Sequence, residues 1–313
     1  MSVYSAPYVL KLMITKFLLF VFLGIFIGAA VIIGITYRTV RLQCGRSQKI
    51  DYAAVRARNY KTLIACHAIQ EVSFKSEDGL MLSGVLVLRP LAQHVILFCH
   101  GRWQAKEFLY PLADLFNKET LFFFDFRTHG ASEGNLVSLG YHETKDVQAA
   151  RNFLATHRST KHLSVYGIGF SMGAAALLKA ACQGSDFEAL VIDSAFAHLY
   201  TQMCRLFTRT TKLPHCMFSL SQCIYEALIK GPIEAVSPQT FLKSSNLPIL
   251  IIHSEEDRVV PVEDAYELYA QAQGIKELWI AKSARHAYLF KQFPRAYKHK
   301  VYDFFNRVKS LKV

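Results

Sequence analysis

A serine stands between two glycines in Gly169-Phe170-Ser171-Met172-Gly173, where the apolar run 163–169 gives way to an alanine-rich stretch. A serine hydroxyl becomes a nucleophile when a base takes its proton, and the base needs an acid to hold its ring in one orientation. The two glycines remove β-carbons that would block a sharp strand-to-helix turn. Such a turn lifts the hydroxyl above a sheet and aims the backbone N–H of Met172 at the same point. Of the twelve histidines, His286 in Ala284-Arg285-His286-Ala287 is the candidate base. It follows the last predicted strand and precedes the C-terminal helix. Asp257 follows the strand before that and is the candidate acid. Glu255 and Glu256 compete with it, and Asp193, after an earlier strand, is the stronger rival because an acid there could also reach His286. Acyl transfer places negative charge on a carbonyl oxygen, which two backbone N–H donors would stabilise. Met172 supplies one. The turn His100-Gly101-Arg102 supplies the other, with the Arg102 N–H as candidate and His100 read as a brace for that loop.

These residues need a scaffold that brings strand ends together. The stretch 69–90 reads as two antiparallel strands around Glu77-Asp78-Gly79. Short apolar runs follow at 94–99, 120–126, 163–169, 189–194, 248–253 and 276–281. They are continuous rather than alternating, as strands buried on both faces are. Helical patterns lie between or after them at 107–117, 142–157, 172–183, 262–273 and 295–309. The alternation predicts an α/β fold with a mostly parallel sheet and helices on both faces. The interval 197–246 is too long for a structureless loop and reads as a small helical cap over the strand ends. In the last helix, apolar residues at 297, 301, 304, 308 and 311 predict a face that docks on the sheet.

Residues 17–36 form a twenty-residue run without a charge. As a helix it is about 30 Å long, the thickness of a bilayer's hydrocarbon core. The run exceeds the apolar part of a secretory signal, and Tyr37-Arg38-Thr39-Val40 offers no cleavage site, so an uncleaved transmembrane anchor is expected. Residues 1–16 are then an N-terminal tail and 37–65 a basic juxtamembrane linker, with the folded domain at 66–313. The formal charge of +12 is not a nucleic-acid signature. Residues 1–61 carry nine basic and one acidic residue, and 291–313 carry seven and one, whereas 62–290 have a net charge of −2. Arg38, Arg41, Arg46 and Lys49 outnumber Lys11 and Lys16 around the span, which favours a cytoplasmic catalytic side. Gly24 and Gly28 could let two such helices pack. The seven cysteines, at 44, 66, 99, 182, 204, 216 and 223, show no zinc or Cys-x-x-Cys spacing and read as reduced thiols.

The motifs together resemble the α/β-hydrolase family, in particular its serine aminopeptidase-like and monoacylglycerol-lipase-like group. The resemblance spans about residues 70–313 through His100-Gly101, the segment 125–134, the serine pentapeptide at 169–173, the acidic loop 254–261 and 285–290. The chain order Ser171, Asp257, His286 is that fold's order. The resemblance implies a Ser-His-Asp triad, a lipid or other acyl substrate, no metal and no organic cofactor. It also implies that Asp125, Arg127 and His129 are scaffold. Relatives often carry a small residue after His-Gly, where this chain has Arg102-Trp103-Gln104, so the acyl pocket is expected to be narrower. The leading expectation is a membrane-anchored serine hydrolase of carboxylic esters, thioesters or amides included. A non-catalytic binding protein on the same fold and a serine aminopeptidase are the alternatives.

Overall fold

The computed structural model describes residues 6–45, 54, 55, 59, 63 and 68–311. Its strands are β1 (Ile69–Lys75), β2 (Met81–Val87), β3 (His94–Cys99), β4 (Thr120–Phe124), β5 (Ser164–Phe170), β6 (Leu190–Asp193), β7 (Ile249–Ser254) and β8 (Lys276–Ala281). They form one sheet in the order β1-β2-β4-β3-β5-β6-β7-β8. The β1–β2 and β2–β4 pairs are antiparallel and every other pair is parallel. This is the α/β-hydrolase fold expected from the sequence.

The apolar runs are continuous because both faces are covered. Along β3, Val95, Leu97 and Cys99 join one core while Ile96 and Phe98 join the other. The first core is closed by α3 (Glu143–Thr156), α4 (Met172–Cys182) and α8 (Val262–Gln271). The second is closed by α2 (Leu112–Leu115), α9 (Leu289–Gln292) and α10 (Pro294–Ser310). The expected docking face of α10 is buried through Tyr297, Val301, Phe304 and Val308, but Leu311 is exposed beyond the helix end. The cap interval contains α5 (Leu199–Thr211), α6 (Phe218–Ile229) and α7 (Pro238–Lys243).

Two expectations need correction. The helix expected over 107–117 is instead a 3₁₀ turn at Lys106–Leu109 and the single turn α2. Pro111 lies between them, and its missing N–H and ring interrupt a continuous helix. The linker expected over 37–65 begins too early, because α1 runs unbroken from Ala6 to Cys44. Its basic residues Arg38 and Arg41 sit on an exposed face, while Thr36, Thr39, Val40, Gln43 and Cys44 are buried. That i, i+3, i+4, i+7, i+8 stripe makes the segment an amphipathic helix end, which its polar composition disguised. It packs on α5 and α6, and the Val137 N–H donates to the Cys44 carbonyl at 2.7 Å. Leu63, also placed in the linker, is fully buried in the second core. Residues 1–5, 46–53, 56–58, 60–62, 64–67 and 312–313, which hold parts of the expected tail, linker and domain, lie outside the described residues.

The expected anchor lies in α1, whose segment Met13–Cys44 is long and apolar enough to cross a membrane, and residues 13–35 are almost wholly exposed. The six described cysteines are free.

Phe304 tests whether α10 is part of the core or an appendage. Phe304→Ala should cost about 3–5 kcal/mol, the usual loss for a buried aromatic ring. Urea denaturation of the detergent-solubilised chain, compared with wild type, measures that cost.

Candidate active site

The sheet order places β3 between β4 and β5, so the chain leaves β3 to one side and returns on the other. A crevice opens beyond the carboxyl ends of strands at such a reversal. Cys99 pairs with Gly169 across β3 and β5, which sets the loop 100–104 beside the turn after β5. Ser171 occupies that turn with φ 53° and ψ −117°, a conformation that costs a non-glycine residue about 1–3 kcal/mol. The surrounding contacts hold it there. A β-carbon on Gly173 would lie 2.4 Å from the carbonyl oxygens of Cys99 and His100, and one on Gly169 would lie 2.6 Å from the Ala174 Cα. Only glycine lets α4 approach the two strands this closely. The Ser171 N–H donates to the Asp193 carbonyl at 2.9 Å, tying the turn to β6 as well.

His286 and Asp257 start from more distant strands. Between β5 and β8 lie two strands, a separation of about 14 Å at the usual spacing. The loops must therefore lean back over the sheet, and their hydrogen bonds show how. Ser254 Oγ accepts from the Ala284 N–H at 2.8 Å, and Ser194 Oγ accepts from the Ala287 N–H at 3.0 Å. His286 Nε2 comes to 2.9 Å from Ser171 Oγ, and its Nδ1 to 2.7 Å from Asp257 Oδ2. The other carboxylate oxygen of Asp257 accepts the N–H groups of Val259 and Val260 at 2.8 and 3.0 Å. Burial works against the charge on Asp257. The bond and charge of His286 and these two amides outweigh it, holding the carboxyl below its ordinary value.

The rival acids fall elsewhere. Glu255 and Glu256 are exposed. Asp193 is fully buried, and its Oδ1 accepts the hydroxyl of Ser194 at 2.9 Å. It reaches the His286 loop only through that serine and the Ala287 amide. Burial pushes its carboxyl up to about 7, with Ser194 and His286 pulling the other way. The ring of His286 is bonded by Asp257 and not by Asp193, which leaves Asp193 as a candidate positioning group.

Among the described residues, neither the Arg102 nor the Met172 backbone N–H donates to another protein group. His100, fully buried, accepts the Phe126 N–H at Nε2 (3.0 Å), and its Nδ1 lies 2.7 Å from the Gly101 carbonyl. It braces the loop, and burial holds its ring well below the usual histidine range and so neutral. Trp103 takes a positive φ of 60° and donates its N–H to His129 at 3.2 Å. Asp125 accepts from the amides of Lys106 and Ala131, and Arg127 spans Asp146 and Asp78. These bonds are structural, and they shape the floor under the loop.

Ser171 and His286 open into a cavity of about 380 Å³. Leu199, Met203 and Leu206 of α5 line it with Phe196, and none of its lining among the described residues is acidic. Arg102, Trp103 and Gln104 form another wall, with the Arg102 guanidinium stacked 3.7 Å from the Trp103 ring centroid. Two lining residues carry no sequence signal at all: Gln43, from the end of α1, and Gln202, from α5. A larger groove of about 750 Å³ near Asn152 and Gly184 holds none of these groups. No cluster of three His, Cys, Asp or Glu able to hold a metal occurs among the described residues.

Residues 135–311 match the prolyl oligopeptidase family. The Bacillus subtilis protein YqkD is 28% identical over 242 residues, covering 74% of this chain and 78% of its own. YfhR of Escherichia coli K12 is 24% identical over 246 residues, covering 75% and 80%. Among solved structures, the esterase Pf2001 of Pyrococcus furiosus superposes with a TM-score of 0.65 at 24% identity, over 79% of this chain and 94% of that one. The esterase EaEST of Exiguobacterium antarcticum gives 0.55 at 14%, over 76% and 100%. Likeness at these identities concerns the fold.

The depressed carboxyl of Asp257 has a consequence for stability. Its folded value lies below its unfolded one, so its contribution is complete above the ordinary aspartate value of about 3.9 and is lost as pH falls through the folded value. Urea midpoints of wild type and Asp257→Asn should therefore differ most at neutral pH and converge in acid. A gap that widened in acid would contradict the assigned bonding.

Proposed function

The chain belongs to the prolyl oligopeptidase family, on the α/β-hydrolase fold, and from that premise we propose that it is a membrane-anchored serine hydrolase of carboxylic esters. The observation that carries the reading is the relay from Ser171 Oγ through His286 to Asp257, at 2.9 and 2.7 Å, opening into a mainly apolar pocket. His286 takes the proton as Ser171 Oγ attacks the ester carbonyl, and Asp257 holds the ring and offsets its positive charge. The oxyanion faces the free N–H groups of Met172 and Arg102. His286 then returns the proton to the departing alcohol. Water, activated by the same ring, releases the acid and regenerates the serine.

The apolar span of α1 supports anchoring, with the basic residues that follow residue 36 favouring the cytoplasmic side. The pocket's aliphatic lining from α5 favours a fatty acyl chain. The family's name raises peptides as substrates. Among the described residues that line the pocket none is acidic, so a peptide's α-amine would lack a partner there, and an ester needs none.

Ser171→Ala should abolish fluorophosphonate labelling and cleavage of a short p-nitrophenyl ester without lowering stability. Asp257→Asn should keep the label site but lower kcat by about 10⁴, because the ring loses its orienting acceptor. Retention of full ester cleavage by Ser171→Ala would remove the nucleophile assignment, and absence of labelling in the wild type would favour a non-catalytic binding protein.

A further inference from the structure

Among the described residues, no acid balances the charge of Arg102. This residue is half-buried in the loop after β3 and lines the cavity that opens onto Ser171 and His286. Its guanidinium stacks 3.7 Å from the Trp103 ring centroid. Stacking engages the flat face and leaves the N–H donors, which lie in the guanidinium plane, free to bond elsewhere. None of them meets an acceptor among the described residues, and none of these nitrogens is sealed from the surface. The groups that act on the charge are the Cys44 thiol and the Tyr225 hydroxyl, which are ordinarily uncharged at neutral pH. The acids of neighbouring segments are committed elsewhere: Asp125 to Lys106, Asp78 and Asp146 to Arg127, and Glu143 to the Ser138 hydroxyl and the Gly140 amide. The turn itself is strained, with Trp103 at φ 60° giving its N–H to His129. Gly101 and Gln104 close it on each other at 3.0 and 3.2 Å. Such strain gathers at ligand clamps.

An open fork of donors suits a carboxylate, whose two oxygens match it and whose single charge cancels it. A phosphate monoester carries about −1.5 to −2 and would leave excess charge in a mainly apolar cavity. Arg209 is the other cation of the lining, but it is exposed and donates to the Arg258 carbonyl at 2.6 Å. The sheet order decides which half of a substrate bears the carboxylate. Arg102 follows β3, on one side of the Ser171 turn, and His286 follows β8, on the other. A departing alcohol takes its proton from His286 and so lies toward β8. The group at Arg102 therefore belongs to the acyl half.

We propose that Arg102 is a specificity-determining residue that binds a free carboxylate on the acyl half of the substrate, so that the chain cleaves half-esters of dicarboxylic acids. This rests on the hydrolase reading above and adds to it the charge of the acyl group. The methylenes of that group lie against Leu199 and Met203, and its far carboxylate meets the guanidinium. Ser171 takes the carboxyacyl group, the alcohol leaves with the proton held by His286, and water then releases the dicarboxylate.

The test uses the full chain in detergent with the monobutyl esters of succinate, glutarate, adipate and suberate. Each is paired with the same ester whose free carboxylate is replaced by a carboxamide, which keeps the shape and removes the charge. At the best length, wild type should prefer the half-ester over its amide by about tenfold or more in kcat/KM, chiefly through KM. The preference should fall at shorter and longer lengths, because Trp103 fixes the guanidinium. Arg102→Gln and Arg102→Leu should each collapse the ratio, and Arg102→Lys should keep part of it. The ratio cancels any general loss of rate that these substitutions cause through the loop. Arg209→Gln should keep the preference. The free dicarboxylate of the best length should inhibit cleavage of neutral butyl butyrate more strongly than its monoamide, a readout that needs no variant. Equal cleavage of half-ester and amide by wild type overturns this inference alone, as does a ratio that survives Arg102→Leu or is lost in Arg209→Gln instead. A preference that does not vary with chain length reports attraction at a distance rather than contact, and also overturns it. So does a preference confined to butyrate esters that carry the carboxylate in the alcohol half. Wild type that takes no fluorophosphonate label and cleaves no ester sinks the hydrolase reading and this inference with it.

Discussion

The close approach of α4 to the ends of β3 and β5 is the constraint on which the site depends. It holds Ser171 at φ 53°, where an alanine-sized neighbour at 169 or 173 would collide with backbone. The strain is local, and the burial that offsets it is spread over two cores on either side of the sheet. Once the turn is formed, the start of α4 points the Met172 N–H outward. The paired strand β3 delivers the Arg102 loop to the same place. A candidate nucleophile and two potential oxyanion donors thus follow from one packing arrangement.

The remaining two groups arrive by a different principle. Asp257 and His286 come from loops beyond β7 and β8 and are drawn back by hydrogen bonds to side chains of intervening strands. Ser194 links Asp193 to the Ala287 amide, so a buried acid that never touches His286 helps to place it. Burial disfavours charge on Asp193, and paired donors favour it on Asp257. Two aspartates at neighbouring strand ends therefore take different parts, one structural and one facing the ring.

The apolar helix α1 and the pocket are continuous, because Gln43 at the helix end is part of the pocket lining. Its terminal turns are buried by the cap helices, and the Cys44 carbonyl is bonded to the Val137 amide. A domain held this way cannot rotate freely about α1, so the orientation of the pocket is coupled to that of the helix. The same cap helix, α5, supplies both the apolar pocket wall and Gln202. Movement of the cap would thus alter the pocket and the seat of α1 together.

Periodicity was enough to read the strands and most helices, because continuous apolar runs and helical stripes reflect burial directly. The Gly-x-Ser-x-Gly spacing was legible for the same reason: a tight turn restricts which residues fit, and the restriction is written locally. Failures came where local composition and tertiary context part. Arg38 and Arg41 made 37–44 look like linker, although the buried stripe between them was already helical in spacing. Nothing local distinguishes Asp193 from Asp257, or marks Gln43 as a neighbour of Ser171, which lies 128 positions away. Turn chemistry, strand order along the chain and the apolar span are properties of short segments, and the sequence by itself determined them. Which acid meets His286, and which helix end closes the pocket, depends on long-range packing and on hydrogen bonds between loops, and only the tertiary structure decided those.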